Sequence, residues 1–343
     1  MARKEKVFVG LSGGVDSSVA AMLLKKRGYD VTGVFLKCFN VDGCAAQDAE
    51  DARRVAAHLG IPFYVFDLEE EYKEKVVSYM IKAYAAGMTP NPDVMCNREI
   101  KFGLFLKKAL SMGADYVATG HYVQKRGNVL AEARDKNKDQ SYFLWTLTQE
   151  QLAHCFFPIG DYVKPKVRAL ARAAGLPTAD KKDSQGICFL GKVSIRDFLK
   201  EYLPAREGVV VSPDGSTLGT HEGAHLYTIG QRHGLKLTTG KRMYIVNKNI
   251  AENTLTAVAN ENDPALFKNE IGLADVNLMR QIRRPTKIRA RIRYRQPLFA
   301  ATLRKEDGDY ALIPQKPQRF VTPGQSAVFY DSRGKVLGGG IIV

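Results

Sequence analysis

Val7-Phe8-Val9-Gly10-Leu11-Ser12-Gly13-Gly14-Val15-Asp16-Ser17-Ser18-Val19-Ala20 is the stretch that decides the fold. It begins as a short apolar run with a β-branched bias, turns through Ser12-Gly13-Gly14 and continues as a helical pattern to about Arg27. Strand, glycine-rich turn and helix leave unpaired backbone N–H groups at a helix start, where the positive end of the dipole coincides with free donors. Such a spot favours an anion. Gly13 and Gly14 let the backbone come close to it, and Ser12, Ser17 and Ser18 add hydroxyl donors. Asp16 does not suit a phosphate directly; it is read as a partner for a metal such as Mg²⁺ that escorts the anion.

Working outward, Asp30–Leu36 reads as a second buried strand, Ala45–Leu59 as an amphipathic helix that Gly60 ends, and Ile61–Phe66 as a third strand. A helix is expected over Glu70–Ala86, another over Lys101–Ala109, and a fourth strand over Tyr116–Thr119, which runs into Gly120-His121. Strands alternating with helices predict an α/β domain with a doubly wound parallel sheet. Ligands of such sheets lie at the carboxyl ends of strands, so Ser12–Ser18 and Gly120-His121 are expected to face one pocket. Leu147 to about Leu203 stays helical and basic. Beyond Pro204 the texture becomes short β-like runs between Gly and Pro turns, which predicts a small β-rich central domain and then a C-terminal β-barrel. The expected boundaries are 1–203, 204–272 and 273–343.

The chain has 343 residues, 45% hydrophobic and 25% charged, which fits a soluble globular protein of two or three domains. No apolar run approaches the ~18 residues of a membrane span, and the start lacks the apolar core of a signal peptide. A cytoplasmic protein without a membrane partner is expected. The formal net charge is +15, which points to a polyanionic partner.

That charge is uneven. Arg206–Val343 carries 21 Lys and Arg against 12 Asp and Glu. Between Arg280 and Arg295 there are eight basic residues and no acid. Lys287, Arg289, Arg291, Arg293 and Arg295 alternate with Ile288, Ala290, Ile292 and Tyr294. At period two this predicts a strand with one apolar and one wholly cationic face. The phosphates of a nucleic acid are its natural partner, so reversing Arg291 and Arg293 together is expected to weaken RNA binding and flatten its salt dependence.

The five cysteines are Cys38, Cys44, Cys96, Cys155 and Cys188. Their odd number and wide spacing argue against a disulfide framework, and no pair has the spacing of a zinc site; no resident metal site is expected. Cys96 is read as lying at a loop-to-helix junction after Pro90 and Pro92, where the helix dipole can activate a thiol, with Asp93 as an acid, a base or a cap. Cys188 lies beside Lys181 and Lys182 near a Gly-containing turn. Cys38, Cys44 and Cys155 are read as small apolar or incidental residues.

These motifs occur together with Asn91-Pro92-Asp93-Val94-Met95-Cys96-Asn97, Ala118-Thr119-Gly120-His121-Tyr122, Lys138-Asp139-Gln140-Ser141-Tyr142-Phe143-Leu144, Ser184-Gln185-Gly186-Ile187-Cys188-Phe189 and Pro323-Gly324-Gln325-Ser326-Ala327-Val328. From Val7 to the C-terminus the set resembles the family of bacterial tRNA-specific 2-thiouridylases, within the pyrophosphate-loop superfamily of adenine nucleotide alpha hydrolase-like fold. The resemblance implies a tRNA-uridine 2-sulfurtransferase. ATP would adenylate the 2-oxygen of the wobble uridine of lysine, glutamate and glutamine tRNAs, and a cysteine persulfide would then supply sulfur. Gly10, Leu11, Ser12, Gly13, Gly14, Val15, Asp16, Ser17, Leu36 and Gly120 would hold ATP with Mg²⁺. Cys188 would carry the persulfide, and Cys96 would release the sulfur, through a disulfide with Cys188 in one version. Asn91, Pro92 and Asp93 would meet the target base; His121, Lys138, Asp139, Gln140, Arg293, Tyr294 and Gln325 would contact the tRNA. A cysteine desulfurase or relay protein would be the sulfur donor. An iron–sulfur cluster on Asp93, Cys96 and Cys188 is the alternative carrier. A small-molecule synthetase would leave the cationic strand and the two cysteines without a role, and a nucleic-acid-binding protein with a vestigial nucleotide fold would consume no ATP.

Overall fold

The computed structural model describes residues 3–41, 43, 45–182, 190–191, 193–237, 242–281, 285–306 and 308–343, the side chain of Lys236 excepted. Cys44 and Cys188 lie outside the described residues. The chain divides into two compact units. The first comprises Met1–Val76, Pro92–Val193 and Asp331–Gly338, and the second Val77–Asn91, Ser194–Tyr330 and Gly339–Val343.

In the first unit, β1 (Lys6–Gly10), β2 (Asp30–Lys37), β3 (Phe63–Asp67) and β4 (Tyr116–Ala118) form a parallel sheet. A hairpin of β5 (Gln124–Arg126) and β6 (Val129–Ala131) follows. The two-residue β7 (Cys155–Phe156), too short to leave a pattern in the sequence, joins the sheet beside β4. The strand order is β3-β2-β1-β4-β7. The winding leaves β1 in one direction through β2 and β3, then returns to its other side at β4. The crevice between the carboxyl ends of β1 and β4 is therefore the topological switch point.

Helix α1 (Val15–Lys26) has nine of its twelve residues buried. A helix apolar all round needs partners on every side. On one side Val15, Val19, Met22 and Leu23 pack with Tyr122, Ile159, Val167 and Ala171. On the other, Ala21 and Leu24 pack with Val7, Val9, Val31 and Val55. Val55 belongs to α2 (Ala45–Leu59), whose bounds match the expected helix.

The helix expected from Lys101 starts earlier. It is continuous over residues 92–111, with a wider-turned segment at Cys96–Leu104. Pro92 begins it rather than forbidding it, because proline's fixed φ and missing N–H suit the first helical position. Cys96 is thus not at a loop junction. It is a buried residue beyond the first turn, where the dipole's influence has fallen off.

The second unit holds a five-stranded sheet in the order Lys236–Leu237, Thr217–His221, Gly208–Val211, Thr254–Val258, Tyr244–Asn249. A closed six-stranded barrel runs in the order Ile271–Leu278, Asp309–Pro314, Phe299–Glu306, Thr286–Arg291, Ser326–Tyr330, Val336–Ile342, all of it in the second unit except Val336–Gly338. The barrel corrects the reading of the cationic strand. Alternation holds through Lys287 and Arg289, both exposed, and through Ile288 and Ala290, both buried. The strand stops at Arg291 because the chain then turns: Ile292 N–H donates to Gln296 Oε1 at 2.9 Å, and Arg295 takes a left-handed φ of 65°. Arg291 is only 6% exposed, its guanidinium 4.9 Å from the centre of the Tyr330 ring. Arg293 donates to Ile229 O, Phe320 O and Thr322 Oγ1 at 3.1, 2.9 and 3.0 Å. These two arginines hold the second unit together, so reversing them would remove folding contacts as well as surface charge.

Arg291→Glu, which sets a carboxylate against a ring in a buried position, should cost about 2–4 kcal/mol in urea unfolding. Arg289→Glu, on the exposed face of the same strand, should stay within about 0.5 kcal/mol of wild type. Equal losses would show that Arg291 has no structural part.

Candidate active site

The turn after β1 is a glycine turn that leads straight into a helix start. Gly13 sits at φ 69°, and Gly14 caps α1 in an extended conformation without a side-chain cap. Among the described residues, no acceptor is recorded for the backbone N–H groups of Gly13, Gly14, Val15, Asp16 or Ser17. Five successive donors at a helix start suit a polyphosphate. Ser12 N–H donates to Ser17 Oγ at 3.1 Å, and the two hydroxyls are 3.2 Å apart. Ser18 is turned inward, contrary to its expected role: its hydroxyl donates to Gly14 O at 2.8 Å and accepts from Thr178 Oγ1 at 2.9 Å.

Two close packings need glycine. A Cβ on Gly13 would collide with the carbonyl oxygen of Asp48 in the first turn of α2. A Cβ on Gly120 would lie 2.6 Å from Ser17 N. The structure thus brings Gly120 against the start of α1, as their places at two strand ends suggested. Leu36 lies near the carboxyl end of the neighbouring strand, in register with Phe66.

Asp16 meets a cation of the protein itself. Its carboxylate accepts from Lys164 Nζ at 2.9 and 2.8 Å and from the Tyr122 hydroxyl at 2.8 Å. Lys164 is only 8% exposed. Among the described residues, no group of three or more His, Cys, Asp or Glu is arranged to hold a metal ion. Lys164 lies 148 residues from Asp16, so no local pattern could have revealed it. The partners of Lys181 are similarly distant in the chain, 133 and 130 residues away. Its Nζ bridges Asp48 at 2.7 Å and Asp51 at 2.6 Å, fastening α2 beside Gly13. Burial pushes the Asp51 carboxyl up, but the hydrogen bond and charge of Lys181 outweigh it and hold it below the usual range.

Of the remaining predicted residues, the first unit holds Pro92, Asp93, Cys96, His121, Lys138, Asp139 and Gln140, and the second holds Asn91, Arg293, Tyr294 and Gln325. Asp93 and Cys96 are three positions apart on one helix and share a face. Asn97 beside them is buried and donates to Phe143 O at 3.2 Å; its Oδ1 has no hydrogen-bond partner. Asp139 is buried and accepts from Ala133 N, Ser141 N and Ser141 Oγ. Gln140 exchanges two bonds with the backbone of Tyr122, at 2.9 and 2.8 Å, and Lys138 N–H bonds Asp135. The Lys138–Gln140 segment therefore fastens the loop that carries Tyr122 to Asp16. Tyr294 lies under the Arg295 guanidinium at 5.2 Å.

His121 is 7% exposed, in a three-ring cluster with Phe102 and Phe157, with Nδ1 2.7 Å from Thr119 Oγ1. Burial, helped by the Lys101 charge, pushes its pKa well below the ordinary 6.5. The folded imidazole is neutral where the unfolded one takes up a proton. Stability present above pH 6.5 is therefore lost as pH falls toward the depressed folded value, by up to about 1.4 kcal/mol per pH unit. Urea unfolding of wild type and His121→Leu from about pH 7.5 to about pH 5 should show a shallower acid-side loss in the variant. Parallel curves would show that His121 titrates freely.

Three family models tile the chain. The tRNA methyl transferase HUP domain matches residues 5–192, the tRNA methyl transferase PRC-barrel domain 196–259, and the aminomethyltransferase beta-barrel domain 268–342. The tRNA-specific 2-thiouridylase MnmA of Halalkalibacterium halodurans is 47% identical, with 98% of this chain and 94% of that one aligned. That of Listeria monocytogenes is 46% identical over 98% and 94%, and that of Christiangramia forsetii 42% identical over 98% and 100%. Among solved structures, NMN synthetase from Francisella tularensis aligns with a TM-score of 0.37 and 20% identity over 58% of this chain and 76% of that one, a likeness too loose to argue from. Identity of this depth over nearly the full length places the chain in the family of the tRNA-specific 2-thiouridylases.

Proposed function

We propose that this chain performs ATP-dependent 2-thiolation of tRNA uridine, at the wobble position of the lysine, glutamate and glutamine tRNAs. The observation that carries the reading is the likeness to 2-thiouridylases along 98% of the chain, with a strand–turn–helix at the switch point whose five successive amides have no acceptor among the described residues. The 2-oxygen of the uridine attacks the α-phosphate of ATP, and pyrophosphate leaves into the cradle of Gly13 to Ser17. Mg²⁺ enters with ATP as part of the substrate. Lys164 keeps Asp16 from repelling the departing phosphates by neutralising its carboxylate.

In the second step the terminal sulfur of a Cys188 persulfide attacks C2 of the adenylated base, and AMP leaves with the former 2-oxygen. The Cys96 thiolate attacks the Cys188 sulfur; that S–S bond breaks, its electron pair stays on the transferred sulfur, and a Cys96–Cys188 disulfide forms. A cellular dithiol then reduces the disulfide. Asn91, Pro92 and Asp93 receive the base, which leaves the anticodon stack to reach them, and Asp93 serves as acid or base. Lys138, Arg293 and Tyr294 support the tRNA, with the exposed Lys287 and Arg289 adding charge. His121, Asp139 and Gln140 contribute by shaping the surface, with His121 Nδ1, the Asp139 carboxylate and Gln140 Oε1 bonded within the protein. A desulfurase or relay protein loads Cys188. The nucleotide chemistry belongs to residues 1–203, and the central domain at 204–272 and barrel at 273–343 serve the tRNA.

Unmodified lysine tRNA, MgATP, cysteine and a cysteine desulfurase test the reading on a mercury-containing gel. Wild type should give a retarded thiouridine band, and Cys96→Ser or Cys188→Ser should lower it by at least about a hundredfold. Full product from Cys188→Ser would remove it as carrier. Iron with charge-transfer absorbance in anaerobically purified protein would favour the cluster. A methylated tRNA formed from S-adenosylmethionine without ATP would favour the methyl transfer named in the family models.

A further inference from the structure

We propose that Gln325 is a positioning residue: the barrel turn Pro323-Gly324-Gln325 clamps the segment that leads into Asn91. The inference rests on the reading that Asn91-Pro92-Asp93 receives the base, and it gives Gln325 a role within the protein in place of a direct tRNA contact.

Gln325 Nε2 donates to Thr89 O at 2.8 Å and lies 3.4 Å from Pro90 O. Thr89 N–H donates to Pro323 O at 2.8 Å, and Thr89 Oγ1 lies 3.3 Å from Thr228 Oγ1. Thr89, 8% exposed, thus has its amide, its carbonyl and its hydroxyl all engaged by the second unit. Glycine is required for the approach: Gly324 has φ +91°, and a Cβ there would lie 2.8 Å from Thr89 N and 2.9 Å from Thr89 C. The turn is itself anchored. Gly324 N–H donates to Ile342 O, and Ile342 N–H donates to Gln325 O, both at 2.8 Å.

Pro90 has no N–H and a fixed φ, so the carbonyls of Thr89 and Pro90 are the polar handles by which this stretch can be held. One amide group grips both. Asn91 is the next residue, and the proline on each side of it limits how far it can relax independently. A displaced clamp shifts the base-receiving residues while leaving the surface charge that binds tRNA untouched. A misplacement of a reacting group slows the reaction without a matching loss of affinity.

Three measurements on the full-length protein test this. In hydrogen exchange of the tRNA-free protein, Gln325→Met should speed exchange of the Thr89 amide about fivefold to tenfold while the barrel strands keep their protection. Filter binding should give a tRNA Kd within about twofold of wild type and an unchanged salt slope. Single-turnover thiolation should fall about tenfold. Gly324→Ala, which pushes Thr89 away, should reproduce the pattern. Unchanged exchange at Thr89, or a weakened Kd with a lower salt slope, would overturn the proposal and make Gln325 a tRNA contact. The exchange result stands even if wild type makes no thiouridine, so failure of the thiolation reading shows separately.

Discussion

Helix α1 is buried from its first turn onward, and the turn that leads into it is made of two glycines. That constraint organises the first unit. Burial fixes the helix between two apolar clusters, and its start follows directly on the Gly-Gly turn at the carboxyl end of β1. A carboxylate in that first turn would spoil an anion site. The buried ammonium of Lys164 neutralises it, and the Tyr122 hydroxyl holds it aside. The Lys138–Gln140 segment secures Tyr122, and Lys181 secures α2 over Gly13. Features that look separate in the chain thus converge on keeping one turn open and electropositive.

The strand, turn and helix around Gly13 are legible because the pattern that makes them is local. Strand, Gly-Gly turn and helix are read from fourteen consecutive residues, and no distant contact was needed to infer free amides. The barrel strand was legible only as far as Arg289. Beyond it the alternation of residue types continues to Arg295, but a turn capped by Gln296 ends the strand, and a pattern of types carries no sign of where hydrogen bonding stops. Two prolines before Cys96 suggest a break in the helix there, whereas Pro92 occupies the one helical position that suits it.

What could not be read was pairing across the chain. Asp16 invited a metal because its own neighbourhood offers no cation; the cation that answers it is 148 residues away. Gln325 invited a nucleic-acid role because it follows a glycine turn in a basic domain; its amide instead closes on two carbonyls more than two hundred residues earlier. In each case a polar side chain that the sequence offers to a ligand bonds to a distant part of the chain.

The central claim is that the turn after β1 activates a uridine oxygen by adenylation so that sulfur can replace it. Lysine tRNA carrying ¹⁸O at O2 of its wobble uridine tests this directly. After one turnover with MgATP and a sulfur donor, mass spectrometry of the released AMP should find the label in AMP, one atom for each thiouridine formed. Unlabelled AMP, with the ¹⁸O in water or still in the tRNA, would contradict the account.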